Sequence, residues 1–180
     1  MSDTIKDGTG KGYLALVDSE NHLHTAATME PLITHVSHYN GLSFSWSNLT
    51  YDYSAGDTIL MVKNTHPTLQ LRINKVIVSS DVNTQVIVHR PVVVTPTGTD
   101  VIGVILNGSY NITASAIAKA NESTNSIANI LCSGRILANT CSDIDFSGCL
   151  IVDQNQSIAV DFVTDGAACN VTIFGYYKAN

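Results

Sequence analysis

Six histidines are the side chains of this sequence best suited to bind a metal ion or to transfer protons. His22 and His24 have the spacing of a metal-binding pair, but Glu30 is too far along the chain to complete their site. His35 and His38 could offer two ligands from one helical turn, although no cluster of Cys, Asp or Glu lies nearby in the sequence. We therefore interpret the first two as a solvated or interface pair and the second two as polar loop residues.

Two further histidines and one pair of acids have similarly simple interpretations. His66 precedes a proline at a turn and His89 ends a strand, so both are predicted to be hydrogen-bonded surface residues. Asp143 and Asp145 could point the same way on a strand or loop, but a calcium-binding loop needs more oxygen donors than these two provide. A solvated loop is the favoured interpretation of this acidic pair.

The sequence lacks the short motifs of common catalytic and cofactor-binding sites. It has no serine-nucleophile elbow, no phosphate-binding loop and no Cys-x-x-Cys. Gly8, Gly10 and Gly12 mimic part of a dinucleotide-binding fingerprint, but no strand precedes them and no helix follows. We therefore predict no catalytic residue, no metal site and no cofactor, and a chain that is not an enzyme.

One aromatic cluster is the best candidate for a ligand-binding surface. Trp46, Tyr51 and Tyr53 lie close together in the sequence, and aromatic rings on a β-sandwich can stack on sugars. The favoured interpretation, however, places Trp46 in the core, with the two tyrosines flanking a turn. The cysteines, Cys132, Cys141, Cys149 and Cys169, lack zinc-site spacing and are predicted to be reduced and mostly buried, with one disulfide pair as the alternative.

Composition indicates a β-protein whose surface is neutral to acidic and covered mainly by uncharged polar groups. Only 13% of the 180 residues are charged, about half the ~25% of an ordinary soluble domain, whereas Ser, Thr and Asn together number 50. The net charge of −6 and the lack of a basic cluster disfavour nucleic-acid binding. No apolar run is long enough for a membrane span or a secretory signal, so we predict no membrane association and synthesis in the cytoplasm.

From about Leu42 the hydrophobic pattern predicts a series of strands. Residues 42–46 alternate strictly between apolar and polar, and residues 58–63 form an apolar run suited to a strand that is buried on both sides. The apolar positions change parity after Ile73, which predicts a β-bulge near Asn74 and Lys75. Eight or more strands at regular spacing predict an all-β antiparallel sandwich, and a jelly roll fits the number of strands best.

The middle of the chain gives a weaker pattern. Pro91 should end the strand that begins at residue 85 or place it at an edge or corner, and residues 101–106 should form the next strand. Alternating alanines at 114–120 favour a strand to about residue 119, although a helix is also compatible with this segment. A polar loop is expected at residues 121–125.

The first 30 residues differ from the rest and are predicted to be an extended N-terminal arm that precedes a jelly-roll domain at residues 31–180. The first twelve residues are polar and rich in glycine. Two short extended runs, at residues 13–17 and 22–25, flank a polar turn and predict a hairpin or an extended arm. Because an isolated hairpin is marginally stable in water, this arm needs another surface to lie on.

The arm resembles the leader found at the start of many tailed-bacteriophage virion proteins, with the match running over residues 5–25. The remainder resembles the jelly-roll domains of phage head-decoration and head-fibre proteins, above all in residues 106–111 with the alanine-rich stretch after them, and in residues 158–177. The resemblance implies a capsid decoration (cement) protein on the virion surface, commonly a homotrimer, that is made in the host cytoplasm.

The resemblance also implies which partners and residues take part in attachment. The partner would be the major capsid protein or a neighbouring virion subunit, and the arm would supply the contact residues Ile5, Lys6, Asp7, Gly8, Gly10, Gly12, Tyr13, Leu14, Leu16, Val17 and Leu23. The alternative is a receptor- or carbohydrate-binding module of a phage fibre. It would use the region from Trp46 to Tyr53 or the loop at 121–125.

Overall fold

The computed structural model of the chain describes residues 16–17, 23–24, 42–91, 96–109, 111–123 and 127–179. Every regular element in these ranges is a β-strand, and none of them contains a helix long and apolar enough to cross a membrane. The chain divides into two compact units, Met1–Pro31 and Leu32–Asn180, which are described separately.

The first unit contains a short β-hairpin. Strand β1 (Leu16–Val17) pairs antiparallel with β2 (Leu23–His24), so that Leu16 lies opposite His24 and Val17 opposite Leu23. This is the hairpin that the two short extended runs around a polar turn predict. The fold of the larger unit explains far more of the sequence.

The second unit is a sandwich of two antiparallel sheets. The order in the five-stranded sheet is β11-β5-β13-β3-β8, and the order in the six-stranded sheet is β10-β6-β12-β4-β9-β7. The strands are β3 (Ser43–Tyr53), β4 (Thr58–Asn64), β5 (Gln70–Ser80), β6 (Thr84–His89), β7 (Thr99–Val101), β8 (Val104–Ile105), β9 (Ala116–Glu122), β10 (Ile130–Ile136), β11 (Thr140–Val152), β12 (Ser157–Phe162) and β13 (Gly166–Lys178).

The pairing of the long strands is that of a jelly roll, as the sequence predicts. The first four pair with the last four as a nested series: β3 with β13, β4 with β12, β5 with β11, and β6 with β10. The short strands β7, β8 and β9 belong to an insertion between β6 and β10. They extend both sheets on the side where β3 and β4 lie.

The core between the sheets is built from the alternating positions that the sequence indicates. Phe44 and Trp46 of β3 both point inward and are buried, as the strict alternation over residues 42–46 predicts. Phe44 meets the ring of Tyr177 edge to face, with the ring centroids 5.8 Å apart. The predicted bulge in β5 is also confirmed: Lys75 pairs with Phe174 and Ile73 with Gly175, which leaves Asn74 as the extra residue.

Two strand predictions concern the insertion: one is wrong, and the other, which left a helix open, is confirmed as a strand. Residues 101–106 do not form a single strand, because β7 joins the six-stranded sheet and β8 the five-stranded sheet. The chain changes sheets at Gly103, where an added Cβ would lie 2.5 Å from Nε1 of Trp46, so only glycine lets the backbone pass this close. The alanine-rich segment forms strand β9 rather than a helix and continues to Glu122, three residues beyond the predicted end.

Candidate functional site

The outer face of the six-stranded sheet is covered at its centre. His89, Ala159 and Met61 lie side by side on β6, β12 and β4. Their chain neighbours Val88 and Val160 belong to the core between the sheets, so pleating directs this row away from that core. All three residues of the row are nevertheless fully buried. A second layer of chain therefore covers this part of the sheet.

His89 connects that covering layer to the sheet. Its Nε2 lies 2.9 Å from Oδ2 of Asp161 on β12, and the backbone N–H of Ala128 donates to its Nδ1 over 3.5 Å. Because Nδ1 accepts a hydrogen bond, the ring proton of the neutral imidazole sits on Nε2 and is donated to the carboxylate. The prediction of a surface histidine is wrong, since His89 and Asp161 are both fully buried.

The carboxylate of Glu122 similarly holds another part of the insertion, the segment that leads into β7. This buried residue ends β9, and its carboxylate accepts hydrogen bonds from the backbone N–H of Thr97, from the Thr97 hydroxyl at 2.6 Å and from the N–H of Gly98 at 2.9 Å. Hydrogen bonds to an ionised group are stronger than those between neutral groups. The segment that leads into β7 is therefore held against the end of β9.

A polar groove of about 570 Å³ lies on the same outer face, at the ends of β6, β10 and β12 where Gln85, Arg135 and Val163 are. Arg135 on β10 lies directly opposite Gln85 on β6, and the N–H of Val163 donates to the carbonyl of Gln85 over 3.0 Å. Three adjacent strands or strand ends thus form its floor. Ser133, Asn83 and Thr164 also line this groove.

The aromatic cluster does not form a surface. Trp46 is 0% and Tyr53 4% exposed, and the Tyr53 hydroxyl forms a 2.8 Å hydrogen bond with Oγ of Ser80. Burial raises the pKa of Tyr53 above its ordinary value. A ring that solvent does not reach cannot stack on a sugar, so the predicted ligand-binding role is wrong for these two residues. The side chain of Tyr51 lies outside the described residues.

The acidic pair lies in strand β11 rather than in a solvated loop, and each carboxylate has a partner. Oδ2 of Asp143 lies 3.0 Å from Nζ of Lys75, and this contact lowers the pKa of the carboxyl group. Oδ1 of Asp145 accepts a 2.7 Å hydrogen bond from the backbone N–H of Ser147, where β11 bulges away from β5. Within the described ranges, no three His, Cys, Asp or Glu side chains come together as metal ligands.

The turn histidine has the predicted structural role. Nδ1 of His66 accepts hydrogen bonds from the backbone N–H groups of Thr68 and Leu69 at 3.2 and 3.0 Å, and its ring lies against Tyr177. The remaining histidines belong to the first 41 residues, of which the structure describes only the backbone of β1, β2 and their pairing. The predictions for His22, His35 and His38 therefore fall outside the described residues.

All four cysteines are free, so no disulfide joins them in this structure. Cys169 is buried, and burial raises its pKa to about 12. Cys132 is half-buried, whereas Cys141 and Cys149 are exposed on the edge strand β11. The prediction of buried thiols is therefore right for Cys169, partly right for Cys132 and wrong for the two on β11.

Three of the predicted arm contacts, Leu16, Val17 and Leu23, lie in the paired strands of the hairpin. The others fall outside the described residues: Ile5, Lys6, Asp7, Gly8, Gly10, Gly12, Tyr13 and Leu14. The buried pair of His89 and Asp161, the carboxylate of Glu122 and the polar groove were not predicted, because each is assembled from segments far apart in the sequence. Comparison of the chain with protein-family models, curated proteins and solved structures finds no match.

Proposed function

We propose that this chain is a structural protein of a tailed-phage particle, a capsid decoration protein that attaches through residues 1–30 and presents its jelly roll outward. The observation that carries the proposal is the division of the chain into a small hairpin unit followed by a jelly roll. A two-stranded hairpin gains most of its stability from a surface on which it packs. A neighbouring shell subunit, above all the major capsid protein, supplies such a surface.

The surface chemistry supports a protein that is packed in many copies. Only 13% of the residues are charged, and the outer face of the five-stranded sheet carries small polar side chains such as Ser47 and Thr172, whose hydroxyls lie 2.8 Å apart. Large charge of one sign would repel copies that lie side by side on a shell. Neutral hydroxyl and amide groups avoid that repulsion and remain well hydrated.

Exposed apolar residues on two different edges support self-association into a ring. Ile102 and Val104, at the β7–β8 edge, are 80% and 60% exposed. Ile130, on the opposite edge strand β10, is 57% exposed. Contact between two different patches is head-to-tail, and such contacts form a ring when the rotation between successive copies closes. We propose that three copies close the ring, with the β7–β8 edge of one copy against β10 of the next.

Deletion of residues 1–30 tests the attachment. The truncated protein should stay folded but lose cosedimentation with undecorated head shells of the phage that encodes it. A full-length variant with residues 1–30 in shuffled order is the matched control, since it keeps the length and composition of the arm and should also fail to bind. Shell binding by the truncated protein would overturn the proposal.

Two charge substitutions test the ring. Sedimentation should give a trimer for the unaltered protein and monomers for Ile102→Asp and for Ile130→Asp separately. An equimolar mixture of these two variants should form a dimer, because each retains the patch that the other has lost. A mixture that stays monomeric, or single variants that stay trimeric, would contradict the head-to-tail arrangement.

The alternative of a carbohydrate-binding module on a phage fibre loses the Trp46 and Tyr53 rings, which are buried. A glycan array detects selective glycan binding but does not exclude shell attachment, so shell cosedimentation decides whether the protein cements a shell. Shell cosedimentation is measured on the same preparation, so the two results are independent.

A further inference from the structure

The polar groove on the six-stranded sheet has the features of a binding site that shell attachment does not require. Arg135, Gln85 and Val163 lie on three adjacent strands or strand ends, so the regular strand pairing fixes their relative positions. We propose that this groove binds a saccharide that bears a carboxylate, with Arg135 as the group that recognises the carboxylate.

Arg135 is available for a ligand. Its side chain belongs to an exposed residue and has neither a hydrogen-bond nor an ion-pair partner among the residues that the structure describes. The guanidinium group offers a planar fork of donors that matches a carboxylate with two parallel hydrogen bonds. A carboxylate ligand would supply the partner that this arginine does not find within the described protein.

The local charge favours an anion, although the chain as a whole is negative. The net charge is −6, yet none of the described side chains that line the groove is acidic. The nearest carboxylate along β12 is Asp161, which is fully buried and hydrogen-bonded to His89. Asp165 follows the lining residue Thr164, and its Oδ1 accepts a hydrogen bond from the backbone N–H of Ala55. Arg135 is thus the one charged side chain among the described residues that line the groove.

The other lining groups suit the hydroxyls of a sugar. Oδ1 of Asn83 accepts a 2.8 Å hydrogen bond from the backbone N–H of Ala138, which leaves its Nδ2 as a donor toward a ligand. Gln85, Ser133 and Thr164 add one amide and two hydroxyls, which both donate and accept. Hydroxyls of a saccharide likewise donate and accept, so these groups match one another.

Two further features separate a saccharide from a simple phosphate. Val163 is 44% exposed and gives the groove an apolar surface against which the C–H face of a sugar ring can pack. Phosphate sites usually combine several cations or backbone N–H groups, whereas one guanidinium suits the single charge of a uronic or sialic acid. The volume of about 570 Å³ lies within the ordinary range of small-ligand sites.

The test is a titration of the full-length, isotopically labelled protein, followed by NMR. Glucuronic acid and N-acetylneuraminic acid are the probes, and glucose, N-acetylglucosamine and inorganic phosphate are the comparison ligands. Both acids should shift the amide signals of Ser133–Arg135 and Asn83–Gln85 at millimolar concentration. Neutral sugars should bind at least about tenfold more weakly, because they lack the charge-assisted pair with Arg135.

Matched variants decide whether the groove is responsible. Arg135→Gln should weaken binding of the acids about tenfold or more, and Ser133→Asp should have the same effect by placing a carboxylate beside the guanidinium. Lys178→Gln removes a charge from an exposed residue of the other sheet and should leave binding unchanged. Both groove positions are exposed, so amide spectra of the variants should retain the dispersion of the folded protein.

Three results would overturn the inference. One is the absence of localised shifts with either acid at tens of millimolar, and another is unchanged affinity in Arg135→Gln. The third is equal binding of inorganic phosphate, which would mean that the groove recognises charge alone. None of these results bears on shell attachment. Attachment is assigned to residues 1–30, whereas every residue of the groove lies in the jelly roll.

Discussion

The two sheets of the sandwich differ in what covers their outer faces. On the five-stranded sheet, β13 alternates between half-buried and buried positions from Ala168 to Gly175, and its half-buried residues include Asn170, Thr172 and Phe174. On the six-stranded sheet, all of β12 and the five residues from Thr58 to Val62 of β4 are buried, so both faces of these strands are covered. The difference teaches that the two outer faces of one sandwich need not be alike: one is a surface, whereas the other is buried at its centre and leaves an open groove at one end.

The largest effect in this comparison is expected from His89→Ala. The substitution leaves the buried carboxylate of Asp161 without its donor, and an unsatisfied buried charged group costs more than the about 1–3 kcal/mol of a neutral one in the free energy of unfolding. Ser47→Ala removes a hydroxyl from the outer face of the five-stranded sheet and should cost under about 1 kcal/mol. Chemical denaturation of the two variants measures both values. Equal costs would mean that the two faces do not differ as described.

Met61→Ala tests whether the covering layer packs against the sheet. Met61 is fully buried on the outer face, and truncating a buried methionine costs about 2–5 kcal/mol. Leu49, which is 53% exposed on the five-stranded sheet, provides the control, since Leu49→Ala should change stability by less than about 0.5 kcal/mol. A small effect of Met61→Ala, measured by thermal or chemical unfolding, would show that the layer covers this position without packing on it.

Gly103→Ala tests the point where the insertion changes sheets. The added methyl group would lie 2.5 Å from Nε1 of Trp46, and such overpacking costs about 1–3 kcal/mol. Gly108→Ala is the control, because its added methyl group meets nothing within 4 Å. Tryptophan fluorescence during unfolding should report a destabilised Gly103 variant. If both glycine variants are as stable as the unaltered protein, stability does not depend on the close approach of the backbone to Trp46.

The smallest effect is expected at the exposed edge of the five-stranded sheet. Lys75 holds the pKa of Asp143 below its ordinary value. This contact therefore stabilises the fold at pH values above the ordinary pKa of an aspartate. The contribution is lost as the pH falls through the lowered pKa. Stability of Asp143→Asn should therefore be slightly lower than that of the unaltered protein at neutral pH, and the two should converge in acid. A difference that persists in strong acid would assign the effect to something other than charge.

Regular strands could be predicted from the sequence because their signals are local. The alternation at residues 42–46, the fully apolar run at 58–63 and the parity change at Asn74 each reflect which face of one strand is buried. All three correspond to what the structure contains. Burial on both sides of β4 was predictable for the same reason, although the identity of the covering segment was not.

The parts that could not be predicted depend on distant partners. His89 and Asp161 are 72 residues apart, and nothing near His89 in the sequence indicates that a carboxylate lies beside it. The groove combines residues from three separate segments, so no spacing rule identifies it. The change of sheet at Gly103 follows from the proximity of Trp46, which is 57 residues earlier in the chain.

The nested pairing of strands has a mechanical consequence. Because β3 and β13 are antiparallel neighbours, the start of the jelly roll at Ser43 lies beside Tyr176 near its end. A pulling force applied between these two ends would break the hydrogen bonds of the pair one after another, as a zipper opens, instead of shearing them together. An anchor on the N-terminal side alone would transmit no such force through the β3–β13 pair. A cargo fused to the C-terminus and pulled against that anchor would open the sandwich at this seam first.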